Sequence, residues 1–210
     1  MKLNLKVCGM KYAANIGEVA ELQPNYLGFI FYAPSPRFIS EISAELIPYI
    51  PQQIKTTGVF VNEEVDAVKA RVFKHKLKAV QLHGDESAPY CEEIRALGVE
   101  VIKAFGIDEK FDFSKLSTFE DSVDYFLFDT QTANHGGSGK KFDWQLLKNY
   151  TLSKPYFLSG GIDLEHVAQI LKIDDDRCYA IDINSRFETE PGLKDVEKIK
   201  MFVDQISVDI

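Results

Sequence analysis

The sequence predicts a (β/α)8 barrel, one domain over residues 1–210, and three observations carry that expectation. Eight short apolar runs recur along the chain. Each is followed by a stretch of helical pattern, with no linker or low-complexity segment between units, and regular β-then-α alternation implies a parallel sheet. Polar residues such as Lys6, Gln81 and Asp182 fall on the lumen side of their strands, each two positions from another polar residue. An open doubly wound sheet is the alternative, but its faces are both covered by apolar helices, whereas a closed barrel has a lumen to receive such side chains.

The units follow in order. Leu3 to Val7 alternates, with Leu3, Leu5 and Val7 on one side and Asn4, Lys6 and Cys8 on the other. Gly9 then turns the chain and leaves the Cys8 thiol at the strand's carboxyl end. Ala13 to Leu22 reads as a helix and Tyr26 to Phe31 as the second strand. A Pro-rich loop, Ala33 to Arg37, precedes a helix that Ser40 caps, which runs to Ile50 and is closed by Pro51. Lys55 to Val61 is the third strand and Glu63 to His75 a charged amphipathic helix. Ala79 to Leu82 is the fourth strand, ending at His83-Gly84, and its helix, Ala88 to Leu97, stops at the C′ glycine Gly98. Glu100 to Phe105 is the fifth strand, followed by a helix over Asp112 to Glu120. Tyr125 to Phe128 is the sixth and ends at Asp129-Thr130. A glycine-rich loop, Thr132 to Lys141, leads to a helix from Asp143 to Asn149. Tyr156 to Leu158 is the seventh strand and ends at Ser159-Gly160-Gly161, with Asp163 capping a helix to Leu171. Ala180 to Ile183 is the eighth, and Asp195 to Val203 closes the chain as a helix.

The net charge of −8 argues against a nucleic-acid groove or an anionic membrane as partner, yet leaves room for a small anion held by a few local donors. The three cysteines, Cys8, Cys91 and Cys178, are odd in number and lack metal-ligand spacing; with no apolar leader, a reduced cytoplasm is expected. No run approaches the ~18 apolar residues of a membrane span.

Barrel active sites lie at the carboxyl ends of the strands. There this chain places Cys8, Arg37, His83, Asp129, the loop His135 to Gly139, Ser159-Gly160-Gly161, and Asp182 to Arg186. Cys8 and Asp129 are a possible base and acid. The glycine turns are possible anion cradles, because backbone N–H groups surround a phosphate only where no Cβ blocks them, and a following helix adds its positive end. Against this stand blander readings: a small packed cysteine, ordinary tight loops, a neutral His83 bonded to polar neighbours, Trp144 as core, Asp143 as a cap, Lys140 and Lys141 as loop residues, and structural Cys91 and Cys178.

With those residues in place the whole chain resembles the phosphoribosylanthranilate isomerases of tryptophan biosynthesis. The resemblance runs through Lys6-Val7-Cys8-Gly9, Leu27-Gly28-Phe29-Ile30-Phe31, Ser35-Pro36-Arg37-Phe38, Val80-Gln81-Leu82-His83-Gly84, Phe128-Asp129, Gly136 to Trp144, Leu158 to Ile162 and Gly192-Leu193-Lys194-Asp195. It implies an Amadori rearrangement of N-(5-phosphoribosyl)anthranilate with no metal or organic cofactor, by a soluble monomer or homodimer. It matches Cys8 to the general base, Asp129 to the general acid and Arg37 to the anthranilate end. It matches Gly136, Gly137, Ser138, Gly139, Ser159, Gly160, Gly161, Asn184, Ser185 and Arg186 to the phosphate site, with His83 and Asp182 among the groups around the substrate. A base must be a thiolate, so Lys6 and Arg37 are expected to lower the Cys8 pKa; an acid must hold its proton, so Leu127 and Asp182 are expected to raise that of Asp129. Arg186 departs from the family, which usually has glycine there, and reads equally as a phosphate contact or a solvated loop residue. A phosphosugar isomerase of the histidine pathway, which works with two aspartates, and a non-catalytic phosphate sensor are the competing readings. Cys8 in place of an aspartate opposes the first, and the pairing of Cys8 with Asp129 opposes the second.

Overall fold

Short apolar runs, some alternating with polar or small residues, form eight strands, and the computed structural model, which describes residues 3–43, 50–131 and 142–207, closes them into one parallel barrel. The strands are β1 (Asn4–Val7), β2 (Tyr26–Ile30), β3 (Lys55–Phe60), β4 (Ala79–Leu82), β5 (Glu100–Ile107), β6 (Tyr125–Thr130), β7 (Tyr156–Leu158) and β8 (Cys178–Ile183). They pair in sequence order, and β1 closes on β8 with Lys6 opposite Asp182. The closed barrel, not the open sheet, is what forms.

Alternate residues pack in two separate cores. Leu5, Val7, Leu27, Phe29, Val80 and Phe128 face outward into the layer between sheet and helices. Tyr26, Ala79, Ile102, Leu127, Phe157 and Ala180 fill the lumen. A barrel this small has a packed interior, not a pore, so polar groups at its carboxyl mouth sit on an apolar floor.

The outer layer holds α1 (Ala13–Glu21), α2 (Val65–His75), α3 (Ala88–Arg95), α4 (Val167–Ile170) and α5 (Val196–Ser207). The helices expected over Asp112 to Glu120 and Asp143 to Asn149 are instead 3₁₀ turns, Phe113–Phe119 and Trp144–Asn149. Their apolar residues explain the difference. Phe113, Leu116 and Phe119 recur every three residues, as do Trp144, Leu147 and Tyr150, and that spacing puts side chains directly above one another in a 3₁₀ helix, whereas in an α-helix it drifts by about 60° per step. Rings make up the cover that a longer helix would give: Phe105, Phe111, Phe113, Phe126, Phe128 and Tyr150 form edge-to-face contacts at 4.9–6.1 Å, each worth a little beyond the area it buries.

Asp163 does cap its segment, accepting from Leu164 N at 2.7 Å, but the segment is a 3₁₀ turn, Leu164–His166, and then the four residues of α4. The helix expected from Ser40 to Ile50 falls mostly outside the described residues; Ser40 to Ile42 and Ile50 are not helical. An antiparallel hairpin, β9 (Glu188–Glu190) with β10 (Leu193–Lys194), comes after β8 and is not legible as strand in the sequence. Its turn contains Gly192 at φ +90°, a conformation that suits glycine.

Candidate active site

Strand β1 delivers Cys8 to the carboxyl mouth. The Cys8 N–H donates to the Ile183 carbonyl on β8, and the Gly9 and Met10 N–H groups both donate to the Gly28 carbonyl on β2. The thiol lies over the bare backbone of Gly28, where a Cβ would come 2.8 Å from Sγ. Gly28 is glycine because the thiol occupies its side-chain space. Gly9, at φ +79°, is equally constrained: a Cβ there would meet Arg37 Cδ and Asn184 Oδ1 at 2.7 Å.

Beneath Cys8, Lys6 and Asp182 form a buried ion pair at 2.8 Å, and the Ser159 hydroxyl donates to the other Asp182 oxygen at 3.2 Å. Burial pushes the Cys8 thiol above the usual thiol range; Lys6 and Lys194 pull it down, and the Asp182 charge adds to the rise. Lys6 thus lowers the thiol pKa as expected, but desolvation outweighs it and the net shift is upward. Arg37 does not contribute as expected, because it is committed elsewhere: its Nε and Nη2 donate to the Glu188 carboxylate at 2.7–3.0 Å.

Strand β6 brings Asp129 to the same mouth. Burial raises its pKa to about 6, opposed by the Thr130 N–H that donates to Oδ1 and by Lys6, and aided by the Asp182 charge. The lumen burial anticipated from Leu127 thus outweighs the Asp182 charge. His83, at the end of β4, sets Nε2 3.5 Å from Asp129 Oδ2 while its Nδ1 meets Gln81 Nε2 at 2.8 Å. Gln81 lies in the lumen with a buried Oε1 that has no partner among the described residues. Behind it, Glu86 and Lys103 form a second buried ion pair at 3.2 Å and grip the turn at Gly84 through its N–H and carbonyl, which fixes the direction of His83.

A site of this composition at the mouth of a barrel has known counterparts. The family model for N-(5′-phosphoribosyl)anthranilate isomerase matches residues 5–205. The chain belongs to that family. An N-(5′-phosphoribosyl)anthranilate isomerase of Parabacteroides distasonis is 45% identical over 204 residues, covering 96% of this chain and 92% of the relative. The solved structure of the Thermotoga maritima phosphoribosyl anthranilate isomerase superimposes with a TM-score of 0.85 at 34% identity, over 98% of this chain and 99% of that one. Another family structure, in complex with reduced 1-(o-carboxyphenylamino)-1-deoxyribulose 5-phosphate, gives 0.80 at 31% identity, over 98% and 99%.

Within this family member, His83 faces Asp129, and Asp182, bonded to Ser159, acts electrostatically on both Cys8 and Asp129. Arg37 and Asn184 sit against Gly9. Gly160 and Gly161, at φ +89° and +64°, end β7 next to the Asn184-Ser185-Arg186 turn that ends β8. Gly160 has a second reason to be glycine, since a Cβ there would lie 2.8 Å from Asp129 Oδ1 and closer still to Thr130. The positive helix end expected beyond Gly161 is short and already taken by Asp163, which in turn pairs with Lys198 at 2.7 Å. Arg186 is exposed beside that pair. Gly136, Gly137, Ser138, Gly139 and His135 lie outside the described residues.

Sequence reasoning misses Glu188 and the side chain of Lys194. Glu188 sits in a charged surface-like run, and only the hairpin turns it inward; Lys194 lies within a motif of the resemblance that assigns it no task. Among the described residues no group of three or more His, Cys, Asp or Glu is placed to hold a metal ion, and no helix is long and apolar enough to cross a membrane.

Proposed function

We infer that Cys8 is the general base and Asp129 the general acid in the isomerisation of N-(5′-phosphoribosyl)anthranilate, the enzymatic activity this chain carries in tryptophan biosynthesis. One observation carries the assignment: the Lys6–Asp182 ion pair acts on both Cys8 and Asp129, so a thiol and a carboxyl of raised pKa border the same buried charges. Asp129 gives its proton to the ribose ring oxygen and the ring opens to a Schiff base. The Cys8 thiolate removes the C2 proton, and the enolamine that results tautomerises to the open-chain ketose.

The protonation states set a condition on this scheme. At neutral pH Asp129 is mostly ionised and Cys8 mostly a thiol, so the reactive form, with the proton on Asp129 and none on Cys8, is the minority arrangement of the same proton count. Its share does not change with pH between the two pKa values. His83, facing Asp129, orients the carboxyl.

Arg37 binds the anthranilate carboxylate. Phosphate is held at the ends of β7 and β8 by Ser159, Gly160, Gly161, Asn184, Ser185 and Arg186; Gly136, Gly137, Ser138 and Gly139, outside the described residues, are assigned to the same ligand by the family resemblance alone. The reaction needs no metal or organic cofactor, and the enzyme works in the cytoplasm as a monomer or a homodimer; a Thermotoga maritima relative is dimeric. Purified protein should convert the fluorescent anthranilate substrate to product without added metal. Substrate binding with no turnover would overturn the assignment in favour of a phosphate-ligand sensor.

A further inference from the structure

The hairpin β9–β10 takes no part in closing the barrel, yet it carries two buried charges to the side of the base. Glu188 accepts from Arg37 through Nε and Nη2, and the Lys194 ammonium donates to Glu188 Oε1 at 2.5 Å and to Asn184 Oδ1 at 2.8 Å. All three charged groups are shielded from water, Lys194 completely. Asn15 on α1 pins Lys194 from behind: its Oδ1 accepts from the Lys194 N–H at 2.7 Å and its Nδ2 donates to the Lys194 carbonyl at 2.9 Å. Gly192, whose missing side chain leaves room for Lys11, donates its N–H to Glu188 at 3.2 Å.

Charge decides what this cluster is for. Burial lowers the Lys194 pKa and the Glu188 carboxylate in contact with it opposes that shift; with the ion pair formed, Arg37 and Lys194 contribute two positive charges and Glu188 one negative, which leaves one positive charge in a buried place. A tie that served only to hold two loops together would do better with a neutral or apolar pair, because burying ions is costly and an unbalanced set more so. One carboxylate completes the set. Without Lys194, Glu188 would cancel Arg37, and an incoming carboxylate would meet a neutral pair with a like charge in it.

We propose that Glu188 and Lys194 are positioning residues for the carboxylate end of the substrate. Glu188 fixes the Arg37 guanidinium in its plane and leaves Nη1 for the ligand, while Lys194 restores the positive charge that Glu188 removes. This rests on the assignment of Arg37 to the anthranilate carboxylate, and the test separates the two.

The probes are the product analogue, reduced 1-(o-carboxyphenylamino)-1-deoxyribulose 5-phosphate, and its anilino counterpart without the ring carboxylate, with Kd measured by calorimetry on the full chain. The readout is the ratio of the two Kd values, which a general loss of structure would not move selectively. Wild type should prefer the carboxylated analogue and Arg37→Lys should lose most of that preference, since an ammonium does not reproduce the fork. Lys194→Met should reduce the preference by about tenfold or more, the scale of a charge-assisted contact, and Glu188→Gln/Lys194→Met should recover it to within about threefold by restoring the net charge. In a Glu188→Gln background, where removing Lys194 strands no buried partner, Glu188→Gln should be several-fold more selective than the double variant; this comparison holds even where Lys194→Met does not fold. A ratio unchanged in Lys194→Met, equal weakening of both analogues, or equal ratios in the two Glu188→Gln proteins overturns the proposal. An unchanged ratio in Arg37→Lys overturns the Arg37 assignment instead.

Discussion

The two mouths of this barrel are built from the same eight strands and solve opposite problems. At the amino end, Tyr26, Tyr125 and Tyr179 close the lumen. The Tyr125 and Tyr179 rings stack at 4.5 Å, and the Tyr26 hydroxyl meets Glu100 at 3.0 Å, Tyr179 at 3.2 Å and Lys55 at 3.2 Å. Its charges, Lys55 and Glu100, pair at 2.6 Å at the rim, where water reaches both. At the carboxyl end, Lys6, Asp182, Arg37, Glu188 and Lys194 are buried with a thiol and a carboxyl among them. Rings with polar tips suit a stopper because their apolar bodies fill the lumen while their hydroxyls stay bonded. Buried charges suit a reaction, because a low-dielectric setting strengthens their effect on whatever is bound. Stability is invested at one end and chemistry at the other.

The largest effect should come from the carboxyl mouth. Cys8→Ala and Asp129→Ala should each lower kcat by about 10²-fold or more, the usual contribution of a general base or acid, with circular dichroism unchanged. Near-wild-type turnover in either would remove that residue from the mechanism. The reverse pattern is expected at the amino mouth. Tyr26→Ala, a fully buried ring in three polar contacts, should destabilise by about 3–5 kcal/mol in urea titration and leave kcat within a few-fold. A large loss of kcat there, with stability intact, would break the division between the two ends.

Asp129 should show the conflict between the two within one residue. Its folded pKa of about 6 stands above the unfolded value of 3.8, so the folded state binds the extra proton and stability falls as pH rises from about 4 to about 6. Asp129→Asn, which keeps the acceptor for Thr130 N–H, should therefore be inactive yet more stable than wild type at pH 7 by on the order of 3 kcal/mol. The gain should vanish below about pH 4. Equal stability of the two proteins at pH 7 would mean that Asp129 is not desolvated.

Two smaller effects sharpen the picture. Lys6→Met should move the pH at which Cys8 reacts with iodoacetamide still higher, because the cation that opposes burial is gone; an unmoved profile would leave Lys6 only its bond to Asp182. Arg186→Gly should weaken inorganic phosphate by about tenfold and flatten its salt dependence where the guanidinium holds phosphate. Unchanged affinity would assign the site to the backbone N–H groups. Gly160→Ala is a poorer probe of phosphate than the sequence suggests, because the new methyl group would strike Asp129 and Thr130 and disturb the acid as well.

By itself the sequence determined the eight strands and the closed barrel, and it set Cys8 and Asp129 at strand ends, where the family resemblance names them base and acid. The strands follow from short apolar runs and from a glycine or polar turn at each strand's carboxyl end, and both are local properties of the chain. Spacing also held the information for the two 3₁₀ turns, in the threes of Phe113-Leu116-Phe119 and Trp144-Leu147-Tyr150, although a helical reading passes over it. What only the tertiary structure decided is the balance of charge at the site. Arg37 and Glu188 lie 151 residues apart, and Lys6 and Asp182 lie 176 apart. Whether a lysine's pull on a thiol pKa exceeds the rise from burial depends on how deeply both are buried and on which carboxylate pairs with the lysine. Those are sums over neighbours from distant parts of the chain, and closing β8 onto β1 is what brings the neighbours together.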